Sequence, residues 1–130
     1  MSDEPLERGM EMRRRVLGDE HVDRAEAGRS EFTSDFVDYF VRGAWGDVWT
    51  RPGLDLRTRS CITVAMLVAL NRPEELKIHV RGALRNGVTV GELKEILLQA
   101  AVYCGVPAAN DAYRVARAIV EAQPRAEPDS

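Results

Sequence analysis

One of the two histidines of the chain, His79, lies in the segment ELKIHVRGALRNGV at residues 75–88, which has the spacing of an amphipathic helix. At about 100° per residue, His79 lies roughly 60° from Leu76 and roughly 40° from Ala83, at the edge of the apolar face. From that position an imidazole can line a cleft and still reach a polar group, as an acid or base catalyst must. Glu75 precedes it by one turn and is placed to orient the ring or raise its pKa. Periodicity alone favours a half-buried structural histidine, with a catalytic group as the alternative.

Both tryptophans of the chain stand close to three arginines in the segment WGDVWTRPGLDLRTRS, residues 45–60. In a chain with a formal net charge of −3, this segment is a local cationic patch with aromatic walls, which suits a small organic anion. The structural alternative is equally open, since the tryptophans could anchor the core while the arginines pair with neighbouring aspartates. The candidate residues of the patch are Trp45, Trp49, Arg51, Arg57 and Arg59.

The cysteines and the second histidine do not form a recognisable motif. Cys61 lies in an apolar run and Cys104 just before a glycine, so each resembles a buried small hydrophobic residue more than an activated thiol. The sequence has no C-x-x-C pair, no spacing of metal ligands and no glycine-rich phosphate loop, and we expect no metal ion. His21 lies in a charged stretch and is expected to be solvated or to act as a local cap partner.

Length and composition limit the class of protein. With 130 residues and a hydrophobic fraction of 45%, we expect a single domain over 1–130, with its core over about 6–122 and a disordered tail over 123–130. The negative net charge argues against nucleic-acid binding. The longest apolar stretch spans about ten residues, roughly half of what a membrane helix requires. Two widely spaced cysteines and no export signal indicate a cytoplasmic protein.

Helical periodicity extends over nearly the whole chain and predicts an all-α compact bundle of six or seven helices. Glycines are expected to end the first two helices, at 6–17 and 19–27, and Thr33 or Ser34 to cap the third. The glycines and proline of segment 43–53 then predict a loop.

Capping signals mark the starts of the four later helices. In chain order they are Asp55, Asn71 with Glu74, Thr89 with Glu92, and Pro107. The first of these helices carries the longest apolar run and is expected to be the most deeply buried element. The last three are rich in alanine, and the apolar faces left over on so small a domain suggest contacts between subunits, with ordinary core packing as the alternative.

The segment HVRGALRNGVTVGELKEILLQAAVYCGVPAA, residues 79–109, resembles the motif of the carboxymuconolactone decarboxylase family. The segments AWGDVWTRPGLDLRTRS at 44–60 and RRRVLGDEHVDR at 13–24 are similar to the family members that act in the protocatechuate branch of aromatic degradation. The resemblance covers about residues 6–122. It implies the all-α alkylhydroperoxidase D-like fold and a homo-oligomer, with a hexamer as the expected state.

The resemblance also implies a reaction, the decarboxylation of γ-carboxymuconolactone to the enol-lactone of β-ketoadipate, for which no cofactor is needed. His79 is then expected to act as general acid or as hydrogen-bond donor to the lactone oxygen, with Glu75 as its partner. The expected substrate-binding residues are Arg51, Arg57 and Arg59 for the carboxylate that is retained, Trp49 and Trp45 for an apolar wall facing the carboxylate that leaves, and Arg81 and Tyr103 as further candidates.

Redox members of the family carry a C-x-x-C pair whose second cysteine lies four residues before the shared histidine. Here those positions are Arg72 and Glu75, so thiol–disulfide chemistry has no route at this site. Two alternatives are kept. One is a thiol-dependent peroxidase of the same fold that uses Cys61 or Cys104, and the other is a non-enzymatic helical oligomer that binds a small organic anion.

Overall fold

The computed structural model describes residues 3–123 as seven α-helices and one π-helical segment, with no strand among these residues. The prediction of an all-α bundle is confirmed. The helices are α1 (Glu4–Leu17), α2 (Asp19–Ala27), α3 (Glu31–Phe40), α4 (Leu56–Ala69), α5 (Pro73–Arg85), α6 (Val90–Cys104) and α7 (Val106–Ala122), and the π segment is Val41–Val48. Apart from Gln123, the predicted tail lies outside the described residues. None of the described helices is both long enough and apolar enough to cross a membrane.

Helix α1 packs closely against the π segment because two glycines leave room for the neighbouring backbone. A Cβ atom on Gly9 would lie 2.0 Å from the carbonyl oxygen of Val41, and one on Gly46 would lie 2.4 Å from the carbonyl oxygen of Pro5. Both distances are far inside van der Waals contact, so each position requires the absence of a side chain. The buried cluster between the two elements consists of Val16, Val41, Trp45 and Trp49.

The prediction of a loop over 43–53 is wrong for the first half of that segment. The chain continues from α3 as a π-helix, and the N–H of Trp49 donates to the carbonyl oxygen of Ala44, five residues earlier, at 3.0 Å. Gly46 therefore provides clearance for α1 and does not make a turn. Burial of both indoles offsets the cost of glycine in a helix, and the irregular backbone is confined to residues 49–55.

A larger aliphatic cluster holds α4, α5, α6 and α7 together. Val80 and Ala83 of α5 are fully buried in it, and Leu93 of α6 is 1% exposed. The alanines of α7 that face this cluster are Ala112 and Ala116. Their short side chains allow the last three helices to approach closely, so part of the alanine content serves core packing.

Helix α4 is not the most deeply buried element, contrary to the prediction. Its buried residues lie along one stripe, at Ser60, Val64 and Val68. Its opposite face is apolar and open, with Ile62, Met66 and Leu70 exposed by 39%, 59% and 64%. A single helix at the side of a small bundle can bury only one stripe, so a continuous apolar run here leaves an exposed apolar face.

Two of the predicted helix starts are confirmed by their hydrogen bonds. Asp55 Oδ1 accepts from the backbone N–H of Thr58 at 2.7 Å. Thr89 and Glu92 form the predicted capping box, because Thr89 Oγ1 accepts from the N–H of Glu92 at 3.1 Å and Glu92 Oε1 accepts from the N–H of Thr89 at 2.9 Å.

Two other predicted caps are wrong. Helix α3 begins at Glu31 rather than after Thr33 or Ser34, and Thr33 Oγ1 instead accepts from the N–H of the preceding cap residue, Ser30, at 2.9 Å. At α5 the cap position is Arg72, and Asn71 has a φ of 55° that ends α4. Asparagine tolerates this left-handed conformation, so its polar side chain indicated a helix end rather than a helix start.

Candidate active site

Three nearly parallel rings from two elements form the centre of the candidate site. The centroids of Trp45 and Trp49 are 5.0 Å apart, and the ring of His79 lies 6.1 Å from the first and 6.3 Å from the second. The indoles come from the π segment and the residue after it, and the imidazole comes from α5. Both indoles are buried while His79 is half-buried, as its place at the edge of the apolar face predicted.

Burial determines the protonation state of His79. It lowers the pKa of the ring to about 4, because an imidazolium loses its hydration among the indoles. The charge of His21 lowers this pKa further, and the charge of Glu75 raises it. Glu75 is exposed, so its effect is smaller than that of burial. Near pH 7 the imidazole is therefore neutral.

His21 is half-buried, whereas the sequence indicated a solvated residue. Burial lowers its pKa, and the charges of Arg13, Arg24 and Arg81 lower it further. It lines a cleft at the end of α1 together with Arg81, a predicted substrate-binding residue. The two histidines, 58 positions apart in the sequence (79 minus 21), thus come close enough for their charges to interact.

A second cleft, with a volume of about 790 Å³, opens beside Trp49 and is lined by four arginines. We call it the arginine cleft, after Arg15, Arg51, Arg57 and Arg85. Asp55 is the one acidic residue in its lining. His79 does not line the cleft itself. Trp49 does, and it connects the cleft to the three stacked rings of Trp45, Trp49 and His79, which we call the ring cluster. Arg51 and Arg57 therefore lie in one cleft, as predicted from their shared segment.

Four of the predicted substrate-binding residues lie outside the arginine cleft. One of them, Trp45, is buried against Trp49 and His79 and does not line the cleft. Arg59 donates from Nη2 to the carbonyl oxygen of Arg51 at 3.1 Å, so it supports the loop that carries Arg51. Its buried Nε has no partner among the described residues. Arg81 lines the cleft that contains His21. Tyr103 is 82% exposed on α6, in a different cleft.

That different cleft lies between α4 and α6 and has a volume of about 480 Å³. We call it the apolar cleft, because most of its surface is aliphatic or aromatic. It is lined by Cys61 and Cys104, which are free thiols and half-buried, and by Tyr103. Within residues 3–123 no group of three or more potential metal ligands is found.

The chain belongs to the carboxymuconolactone decarboxylase family, whose model matches residues 34–118. This range contains the ring cluster and, from the arginine cleft, Arg51, Arg57 and Arg85. The seven-helix bundle agrees with the alkylhydroperoxidase D-like fold that the resemblance implied.

Individual relatives cover most of the chain. A 4-carboxymuconolactone decarboxylase of Acinetobacter baylyi is 45% identical over 120 residues, which are 92% of this chain and 90% of that protein. A nitrosuccinic acid decarboxylase of Metarhizium robertsii is 41% identical over 107 residues, 82% of this chain and 75% of that protein. An uncharacterized 15.0 kDa protein of Paracoccus denitrificans is 33% identical over 78 residues, 58% of each chain.

Three residues near the candidate site were not predicted from the sequence as part of it. Arg15 and Arg85 each lie in the last turn of a helix, where a basic side chain ordinarily accompanies the helix dipole. His21 is hidden in a run of charged residues. No local signal marks these positions, because their roles depend on how α1, α2 and α5 pack together.

Proposed function

We propose that this chain decarboxylates 4-carboxymuconolactone, the γ-carboxymuconolactone of the expected reaction, to the enol-lactone of β-ketoadipate and carbon dioxide, as a carboxy-lyase of protocatechuate degradation. The observation that carries the proposal is the nearly full-length similarity to the Acinetobacter baylyi decarboxylase. The arginine cleft supports it, since a protein of net charge −3 that gathers four arginines around one opening is suited to an anionic substrate.

The reaction is chemically possible without a cofactor. The leaving carboxylate is on a carbon allylic to a C=C bond that is conjugated with the lactone carbonyl. When the C–C bond breaks, its electron pair moves through the C=C bond onto the carbonyl oxygen, and carbon dioxide leaves. The resulting dienolate takes a proton at the carbon α to the carbonyl. The protein needs to position the dianion, stabilise the charge and supply the proton.

Differential binding suggests where the arginines act. A guanidinium on the leaving carboxylate would stabilise the ground state and lose its partner as neutral carbon dioxide forms. We therefore assign Arg51 and Arg57 to the carboxylate that is retained, with Arg59 holding the Arg51 loop in place. Arg57 also forms an ion pair with Glu92, so its charge is already partly neutralised before the substrate binds. Trp49, which lines the cleft, provides the apolar wall for the leaving group.

His79 is our choice for the proton donor. Its ring is neutral in the free protein, and a bound dianion close to the ring cluster raises its pKa. The histidine then takes up a proton when the substrate binds and gives it to the α carbon. The alternative is that the neutral imidazole donates its N–H to the lactone oxygen and does not transfer a proton.

The test is to supply the lactone to the purified protein and follow the enol-lactone and carbon dioxide. We expect catalytic turnover in a metal-free buffer that contains a chelator. Absence of turnover would refute the assignment. Turnover that requires an added metal ion or organic cofactor would refute the cofactor-free part of it.

Nitrosuccinate should be assayed in parallel, because the relative from Metarhizium robertsii is a nitrosuccinic acid decarboxylase. Nitrosuccinate is also a dicarboxylate, and its nitro group can accept the electron pair that decarboxylation releases. We expect this chain to prefer the lactone by at least about tenfold in kcat/KM, a discrimination that a shaped pocket can provide. A preference for nitrosuccinate would move the assignment to that substrate.

We further propose that the protein is a cytoplasmic homohexamer of single-domain subunits. The exposed apolar residues support subunit contacts; they include Ile62, Met66 and Leu70 on α4, Val102 and Tyr103 on α6, and Phe32 and Phe36 on α3. We expect light scattering to give six times the 14.5 kDa chain mass, and Met66→Glu to reduce it. A monomeric wild type would refute the proposal.

A further inference from the structure

The arginine cleft receives its arginines from two separate parts of the fold. Arg51 and Arg57 come from the loop before α4 and from its first turn. Arg15 and Arg85 come from the last turns of α1 and α5. Among the described residues, no carboxylate lies within 4.0 Å of the guanidinium nitrogens of Arg15, Arg51 or Arg85, whereas Arg57 pairs with Glu92. The α1–α5 side of the cleft thus carries two positive charges without an ionic partner.

Arg85 lies against the end of α1 and lines both the arginine cleft and the cleft that contains His21. Its guanidinium lies over Gly18, where a Cβ atom would be 3.2 Å from Cζ of Arg85. Gly18 has a φ of +89°, so the backbone also favours glycine at this point. Arg15 lies three residues earlier on α1, in the lining of the same cleft. The pair is therefore a product of how α1 meets α5.

The proposed reaction needs positive charge in two places. The substrate is a dianion before the C–C bond breaks, and after carbon dioxide leaves, the dienolate still carries two negative charges. One charge stays on the retained carboxylate, and the other moves from the leaving carboxylate to the lactone carbonyl oxygen. Arginines at the destination of the moving charge bind the transition state more tightly than the substrate, which accelerates the reaction.

We propose that Arg15 and Arg85 form a second anion-binding half of the arginine cleft, which stabilises the negative charge as it develops on the lactone carbonyl oxygen. Arg51 and Arg57 hold the charge that does not move. This inference rests on the proposed decarboxylation. It gives the two halves of the cleft different kinetic signatures, because only the α1–α5 half acts mainly in the transition state.

The experiment measures kcat and KM for the lactone in Arg15→Gln and Arg85→Gln. We expect Arg85→Gln to lower kcat by on the order of 10²-fold or more while KM changes by less than about threefold, and Arg15→Gln to do the same to a smaller extent. Arg85→Lys retains the charge and should recover part of kcat. The matched control is Arg117→Gln on α7, whose side chain is exposed and pairs with Glu121, and it should leave both constants unchanged.

Two results would overturn the inference. One is a kcat that stays at the wild-type value in both variants, and the other is a rise in KM at constant kcat, which is the signature of a simple carboxylate clamp. Thermal unfolding of each variant separates a loss of fold from a loss of function, and Arg85→Lys keeps the test valid if Arg85→Gln does not fold.

A binding measurement keeps this inference separate from the proposed function. If wild type does not turn over the lactone, calorimetric titration with adipate still shows whether the α1–α5 half binds anions. Adipate affinity reduced at least about tenfold in Arg85→Gln would support an anion-binding pair in a protein with another activity. In a protein without lactone turnover, equal adipate affinity in wild type and both variants would refute Arg15 and Arg85 as an anion-binding pair.

Discussion

The arginine cleft and the apolar cleft both border helix α4, yet they offer opposite chemistry. The arginine cleft combines four guanidinium groups with Trp49 and lies next to a neutral histidine. The apolar cleft contains two thiols, Tyr103 and aliphatic side chains. Near the start of α4, Arg57 belongs to the first cleft, and one turn later Cys61 belongs to the second.

Because the two clefts differ in their residues, they are suited to different kinds of catalysis. Acid–base and electrostatic catalysis requires charges and a titratable group near one another, and these are found around the arginine cleft. Thiol chemistry requires an activated cysteine, and neither Cys61 nor Cys104 lines a cleft that contains an arginine or a histidine. The comparison predicts that substitutions in one cleft change turnover and that substitutions in the other do not.

The largest effect is expected from His79→Gln. Glutamine preserves the approximate size and a hydrogen-bond donor but cannot transfer a proton, so kcat should fall by on the order of 10² to 10⁴-fold. The measurement is steady-state kinetics with the lactone, and Lys77→Gln, an exposed residue on the same helix, is the control. Full activity in His79→Gln would remove the histidine from the mechanism and leave catalysis to the arginines.

The pH dependence of kcat/KM separates the two roles proposed for His79. Its pKa in the free protein is about 4. If substrate binding requires a proton on the ring, kcat/KM falls by about tenfold per pH unit above that value, since the protonated fraction falls by that factor. If the neutral ring is the active form, kcat/KM is flat between pH 5 and 8. We expect the fall, and we expect it to disappear in His79→Gln.

The lowered pKa of His79 also makes the stability of the fold depend on pH. The ordinary value for the unfolded chain is 6.5, so between about pH 4 and 6.5 the unfolded chain binds more protons than the folded one. The free energy of unfolding therefore decreases as the pH falls through this window. We expect urea titrations of wild type and His79→Gln to show a smaller decrease in the variant, and identical pH dependence would contradict the burial of a neutral ring.

A smaller effect is expected from Arg51→Gln. The retained carboxylate contributes equally to binding of substrate and transition state. Loss of the Arg51 guanidinium that binds it should therefore raise KM by about tenfold and change kcat little. Steady-state kinetics with the lactone measure both constants. A large loss of kcat at unchanged KM would instead place Arg51 at the developing charge and reverse the assignment of the two halves.

The smallest effect is expected in the apolar cleft. The double substitution of Cys61→Ser and Cys104→Ser should leave kcat/KM for the lactone within about twofold of wild type, because neither thiol adjoins a charged catalytic group. A peroxide-consumption assay on wild type should give no turnover above buffer. Peroxide turnover that disappears in the double variant would instead support the thiol-dependent alternative.

Local signals in the sequence predicted much of the fold. The caps at Asp55 and Thr89 and the glycine at 18 mark helix ends through interactions within a few residues, and these predictions are confirmed. The π segment was not predicted, because the glycines at 43 and 46 have the composition of a turn. At Gly46 the conformation depends on close contact with Pro5 of α1, which lies 41 positions earlier in the sequence.

The candidate site was predictable only in part for the same reason. The periodicity around His79 gave its position at the edge of the apolar face, and the short distance from Trp49 to Arg51 in the sequence put both in one cleft. Arg15 and Arg85 join that cleft through the packing of α1 on α5. Tyr103 was predicted from the sequence motif that contains it. In the structure it lies on α6 and lines the apolar cleft, apart from the residues of the arginine cleft.

The close fit of Gly9 against the π segment has a practical consequence for protein engineering. The backbone oxygen of Val41 occupies the space that any side chain at position 9 would need, so a substitution there must push α1 away from the element that carries Trp45. Mutagenesis intended to change the accepted anion should therefore keep Gly9 and Gly46 fixed and randomise the cleft arginines. A library that varied α1 freely would lose most of its members to a displaced ring cluster before any new specificity could be selected.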